Sequence, residues 1–258
     1  MIKKVILLFA PLAALLCGMA CQSREIEELS IDQGYDYQPL SVGRWWIYEV
    51  DSLVYDPAPS GTLIDSVFFQ LREEVADTFR DNNGDLAYRI VRYERPHASA
   101  PWQVKSVYAL TPGEQRLIRT DNNLNFIAMV FPVAAFTQWD GNAFIDDNLI
   151  IPIAGEPMAL FKGWNYRYTT VDEPLNLGTL FFPKVATLKL ADNENLIEWR
   201  YAQELYARGV GLVYRELQLL DTQCNVCCNG NFAACESLPW EEKGETGFIL
   251  KQRLIAYQ

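Results

Sequence analysis

The side chains of this 258-residue chain best suited to chemistry are six cysteines, one histidine and 33 carboxylates. Four of the cysteines crowd into one segment, Cys224-Asn-Val-Cys227-Cys228-Asn-Gly-Asn-Phe-Ala-Ala-Cys235. Cys224 and Cys227 have the C-x-x-C spacing of zinc knuckles and redox motifs. Cys235 follows Cys228 without a second C-x-x-C, and the lone His97 is remote in sequence, so a zinc site is disfavoured and no metal site is expected. In an oxidising compartment the four thiols would form two disulfides. Adjacent Cys227 and Cys228 seldom bond each other, which leaves Cys224–Cys227 with Cys228–Cys235, or Cys224–Cys228 with Cys227–Cys235.

Other chemistry finds little support. His97 lies between Pro96 and Pro101 in a surface-loop context, and a single imidazole leaves at most one triad or dyad. No serine stands in a Gly-x-Ser-x-Gly setting. Asp81, Asn83 and Asp85 alternate as in a calcium loop, but the sixth and twelfth places hold Leu86 and Arg92 rather than Gly and Glu. A hairpin turn explains them better. No catalytic residue is nominated, no cofactor is expected, and a non-enzymatic role is favoured.

The elements that would position these groups are strands. Trp46, Tyr48, Val50 and Val54 alternate with polar positions such as Glu49 and Asp51, and Phe248, Leu250 and Leu254 alternate with Lys251 and Arg253. Further strands are predicted at 63–71, 74–79, 86–95, 102–110, 115–120, 125–131, 164–171, 180–190, 196–206 and 211–220, separated by turn residues. Residues 196–208 have helix-forming composition, but Ile197, Trp199, Tyr201 and Leu205 alternate, which favours a strand. The fold class is mainly β: a single antiparallel β-sandwich or open barrel-like sheet with little helix. Of neighbours Trp45 and Trp46 one must face away from the core, and Trp102, Trp139 and Trp240 adjoin turns and are further surface candidates.

The N-terminus reads as an address. Lys3 and Lys4 precede an apolar run, Val5–Leu16, too short to span a bilayer. Gly18-Met19-Ala20-Cys21 resembles a bacterial lipobox, in which the cysteine becomes the lipidated first residue. Gly18 departs from the commonest Leu. The alternative is an ordinary signal-peptidase cut near Ala20. The expected organisation is a signal peptide over 1–20, lipidated Cys21 with an acidic tether over 21–37, and a β domain over 38–258 carrying the cysteine-rich hairpin loop at 224–235. Without residues 1–20 the chain holds 20 basic against 33 acidic side chains, a balance that argues against nucleic acid.

Residues Tyr35-Asp-Tyr-Gln-Pro-Leu-Ser-Val-Gly-Arg-Trp-Trp-Ile-Tyr-Glu-Val-Asp-Ser52 resemble the opening of a group of Bacteroidota lipoproteins. Asn125-Phe-Ile-Ala-Met-Val-Phe-Pro132, Trp139-Asp-Gly-Asn142 and Tyr206-Ala-Arg-Gly-Val-Gly-Leu-Val-Tyr-Arg-Glu216 extend the likeness. The acidic stretch after Cys21 is similar to that of lipoproteins exported to the surface of such cells. The Gly209–Val213 element is also similar to strands of periplasmic lipoprotein carriers, which fold as an open sheet around an apolar cavity. The resemblance implies an outer-membrane lipoprotein of the cell envelope, on the periplasmic face or the cell surface, with the membrane as a partner through its lipid. It implies no activity. Three roles are carried forward: binding or assembly with an envelope protein, carriage of an apolar ligand in a sheet cavity, and glycan chemistry by a carboxylate pair.

Overall fold

The computed structural model describes residues 31–58 and 61–258. The signal segment, Cys21 and most of the tether lie outside the described residues. The strands are β1 (Trp45–Ala58), β2 (Gly61–Arg80), β3 (Leu86–Arg95), β4 (Gln103–Pro112), β5 (Arg116–Asp121), β6 (Leu124–Val130), β7 (Gln138–Trp139), β8 (Ile150–Ile153), β9 (Glu156–Ala159), β10 (Tyr166–Leu177), β11 (Leu180–Glu194), β12 (Glu198–Ala207), β13 (Gly211–Asp221) and β14 (Thr246–Tyr257). Twelve form one antiparallel sheet in the order β6-β5-β4-β3-β2-β1-β14-β13-β12-β11-β10-β7, nearly closed into a barrel, and β8 and β9 form a separate hairpin. The mainly β expectation holds, in its barrel-like form. The predicted strands 63–71 and 74–79 are one continuous strand, β2.

Alternation sets which face each strand buries. Trp46, Tyr48 and Val50 are buried, while Glu49 on the opposite face pairs with Arg253 of β14 at 2.5 Å. Leu254 and Gln252 point in, and Lys251 points out toward Glu216 at 3.5 Å. Along β1 and β14 the outer face thus carries ion pairs, and Trp46, Tyr48, Val50 and Leu254 fill the inner face. Between β2 and β3 the Asp81 carboxylate accepts the N–H groups of Asn83 and Asp85, both at 2.9 Å, and Gly84 takes the positive φ of 86° that the turn requires. The segment is a hairpin turn, as its composition indicated.

The two free edges, β6 and β7, meet along a seam. The Ile127 N–H donates to the Gly141 carbonyl at 2.8 Å, and the Trp139 indole N–H donates to the Ile127 carbonyl at 2.8 Å. The Tyr168 hydroxyl bridges to the Val130 carbonyl at 3.0 Å. Such closure removes exposed ladder groups that would otherwise template pairing with another chain.

One end of the barrel is closed by a 3₁₀ turn, Tyr35–Tyr37, with Tyr37 fully buried. The Tyr37 hydroxyl donates to Asp172 at 2.6 Å, and burial pushes its pKa up to about 12. Arg208 stacks over the Tyr37 ring and pairs with Asp32, Asp36 and Asp172 at 2.8, 2.7 and 2.7 Å. The compact unit therefore begins at Asp32, not at residue 38, because this clamp draws residues 32–37 into the fold.

The cysteine-rich loop joins β13 to β14 and is helical in part: α1 (Asn225–Cys228), α2 (Phe232–Glu236) and α3 (Trp240–Lys243). Its stem is tied by Glu245, whose carboxylate accepts the N–H groups of Gln223 and Val226 at 2.8 and 2.7 Å. Trp240 packs with Tyr55, Leu220 and Ile249 on the outer face of the sheet, stacks on Trp199, and donates its indole N–H to Glu194 at 2.8 Å. Trp240 is thus a buried anchor and not a surface residue, since a sheet face free of the barrel core is available to bury it. Trp45 is the member of the Trp45–Trp46 pair that faces away from the core, beside Arg72.

Candidate functional site

The interior of the barrel is not uniform. A large apolar cluster, including Trp46, Tyr48, Ile90, Met129, Tyr168 and Leu188, fills the end closed by Tyr37. A second apolar cluster, built on Phe126, Met158, Leu160, Phe161 and Leu219, lies under the β8–β9 hairpin and the chain that flanks it. Near their junction lies a set of charged side chains: Glu73 of β2, Arg92 of β3, Arg119 and Asp121 of β5, Glu204 of β12 and Arg215 of β13.

Their pairing is specific. Arg92 bridges Glu73 at 2.9 Å and Asp121 at 2.8 Å, and its guanidinium lies 4.2 Å from the Tyr108 ring centroid. The Tyr108 hydroxyl donates to Glu73 at 3.1 Å. Glu204 Oε1 takes both Nε and Nη2 of Arg215 at 2.7 Å, and Oε2 accepts the Tyr206 hydroxyl at 2.6 Å. Burial alone would raise the Glu204 pKa, but Arg215 and Arg119 outweigh it and hold the carboxyl below the usual range. Burial lowers the Arg215 pKa, and Glu204 more than offsets this, so both partners stay charged.

Above this layer is a cavity of about 550 Å³. Its walls are apolar, with Leu124, Phe126, Ile151, Phe161, Trp164 and Leu217 among them, and Arg92, Arg119, Asp121, Glu204 and Arg215 supply its charged lining. The volume lies within the roughly 300–1,000 Å³ of small-molecule sites. The β8–β9 hairpin contributes Ile151 and Ile153, with Ile150 turned to solvent. A second, surface groove of about 500 Å³ lies between the 3₁₀ turn and β3–β6, lined by Tyr35, Leu40, Tyr88 and Phe131. It has no comparable charged floor.

The sequence-selected residues fall elsewhere. His97 is exposed, with Nδ1 2.9 Å from Ser99 Oγ. Cys224 is bonded to Cys235, with Cα atoms 5.8 Å apart, and Cys227 is bonded to Cys228. Neither of the two expected pairings occurs. Cys224 and Cys235 are the two buried members, brought together by the stem and α2, while Cys227 and Cys228 end α1 and are left to each other. The sulfurs of Cys227, Cys228 and Cys235 lie within 4.8 Å of one another. Trp139 is half-buried against Tyr166 and Tyr168 at the seam, and Trp102 stacks on Arg95.

The segments quoted for the resemblance meet one another in the fold. Trp46 and Tyr48 donate to the Val210 and Leu212 carbonyls at 2.6 and 3.0 Å, joining residues 35–52 to 206–216. Residues 125–132 and 139–142 meet at the seam. Compared with known protein families, curated proteins and solved structures, the chain matches none.

Proposed function

We propose that this chain is a cell-envelope lipoprotein, held at the outer membrane through Cys21, whose barrel binds an apolar or amphiphilic ligand beneath the β8–β9 hairpin. The observation that carries the reading is the apolar-walled cavity of about 550 Å³. A pocket of this size, with apolar walls and a few convergent polar groups, has the form of a small-molecule site. The address and the likeness to envelope lipoproteins supply the location. Glycan chemistry is the weaker reading. The carboxylates of the cavity, Asp121 and Glu204, are both bound to arginines, and Glu204 is shifted down, whereas a general acid needs a raised pKa.

Native mass spectrometry of the purified chain tests the proposal. A retained mass of a few hundred daltons, lost in a Leu217→Trp variant that fills the cavity, is the expected result. A chain that purifies empty and takes up no amphiphile overturns it. One observation favours a protein partner as a second reading: Leu63, Ile64, Val67 and Phe68 of β2 and Val104 and Val107 of β4 are all exposed. Stable crosslinked complexes in envelopes, lost on Phe68→Glu, would support that role.

A further inference from the structure

Of the three guanidinium groups lining the cavity, two hold short carboxylate pairs and one does not. Arg92 has two carboxylate partners within 2.9 Å, and Arg215 takes Glu204 with two of its nitrogens at 2.7 Å. Among the described residues the Arg119 side chain has a single hydrogen bond, at 3.5 Å, to an oxygen of Glu204 that Arg215 already holds. Its Nε is buried with no hydrogen-bond partner among the described residues. A guanidinium carries five donors, and leaving the buried Nε unpaired is unfavourable. The Arg119 guanidinium also lies 4.9 Å from the ring centroid of Phe126, so a strongly apolar wall adjoins it directly. A group bound here meets a cation and an apolar surface side by side.

We propose that Arg119 receives an anionic head group, carboxylate or phosphate, of a single-chain amphiphile whose tail fills the apolar part of the cavity. This rests on the cavity reading above and names its ligand class. Arg119 binds the head through Nη groups that Glu204 leaves free, since a planar guanidinium fits either oxyanion with two parallel hydrogen bonds. The tail runs along Phe126, Phe161, Trp164 and Leu217 beneath Ile151 and Ile153.

Isothermal titration of the purified chain with dodecanoate, dodecyl phosphate, dodecanol and dodecyltrimethylammonium, all below micelle formation, tests it. Either anion is expected to bind about tenfold or more tighter than dodecanol, because a charge-assisted hydrogen bond is added, and the cation more weakly still. The tighter of the two anions identifies the head group. Arg119→Gln is expected to bring the anions down to the dodecanol affinity while dodecanol itself is unchanged, and Arg119→Lys to retain part of the preference. Equal binding of anion and alcohol by the parent chain, or an undiminished preference in a folded Arg119→Gln variant, overturns the assignment and leaves the cavity reading standing. Should none of the four amphiphiles bind, both fall. If Arg119→Gln does not fold, the parent and the Arg119→Lys variant decide between these outcomes.

Discussion

Replacing Glu204 by Gln isolates the energetic role of the buried charged layer. The substitution preserves shape and keeps an oxygen for the Tyr206 hydroxyl, but it removes the one carboxylate that Arg215 pairs with among the described residues. The Glu204 side chain is 3% exposed and that of Arg215 14%, so water replaces little of the lost pairing. Breaking a buried pair by removing one partner costs about 3–5 kcal/mol. For a chain of this size, 1 kcal/mol shifts the melting temperature by roughly 2–4 °C, so Glu204→Gln should lower it by about 6–20 °C. The control is Glu198→Gln, which breaks a pair with Lys162 whose side chain is 53% exposed and should cost less than about 1 kcal/mol. The pH dependence adds a second signature. The folded-state pKa of Glu204 lies below its unfolded value, so its contribution is complete above the unfolded value near 4.3. It is lost as the pH falls through the folded-state value. The gap between parent and variant should therefore be constant from neutrality to about pH 5 and narrow in more acidic solution. Urea unfolding followed by circular dichroism measures both. A Glu204→Gln variant no less stable than Glu198→Gln, or a gap that widens in acid, would refute the idea of a buried, ionised pair.

Two further outcomes are expected. Cys224→Ser with Cys235→Ser opens a crosslink of sequence separation 11 and should cost about 3 kcal/mol by loop entropy; thermal melts that match the parent under non-reducing conditions would mean that Trp240 and Glu245 hold the segment unaided. Cys21→Ser should release the chain from membranes and abolish acyl labelling, and unchanged membrane fractionation would exclude the lipid anchor.

The strands were legible because their alternation is strict where one face meets the core. β3, at 86–95, has the predicted bounds, and the strand reading of 196–206 matches β12 within two residues at its start. The β8–β9 hairpin was not legible. It pairs Pro152 with Pro157, residues that read as strand breakers, and its four-residue strands are too short to show a period. The charged layer carried a signal that alternation could have exposed. Glu73 stands two residues from both Leu71 and Val75, Arg119 two from Leu117, and Glu204 two from both Ala202 and Tyr206, each in register with buried neighbours. A charge on the inward parity of a strand marks a buried ion pair or a site. Which charges meet is decided by pairings between strands far apart in the chain, and Arg119 and Glu204 are 85 residues apart. Cysteine connectivity failed for a related reason: spacing limits which pairs can close, but burial by the stem and α2 selects the pair.

The strand count explains why a cavity exists at all. Eight strands enclose a barrel whose interior side chains just fill it, and the diameter grows with strand number. Twelve strands leave a wider interior that ordinary residues cannot fill from the walls. At one end the space is taken by Tyr37 and by large inward side chains such as Trp46, Tyr48 and Tyr168. In the middle sit six charged side chains, of which Arg119 of β5 and Glu204 of β12 meet across the barrel. At the other end the β8–β9 hairpin covers the mouth, yet about 550 Å³ stays open beneath it. Apolar residues of equal volume in place of the charged layer would be as stable or more so, because desolvating ions offsets much of their attraction. The fold alone therefore does not account for three arginines facing an apolar void. The proposed anionic amphiphile meets both halves of the arrangement, the loosely paired Arg119 guanidinium and the apolar-walled cavity beside it.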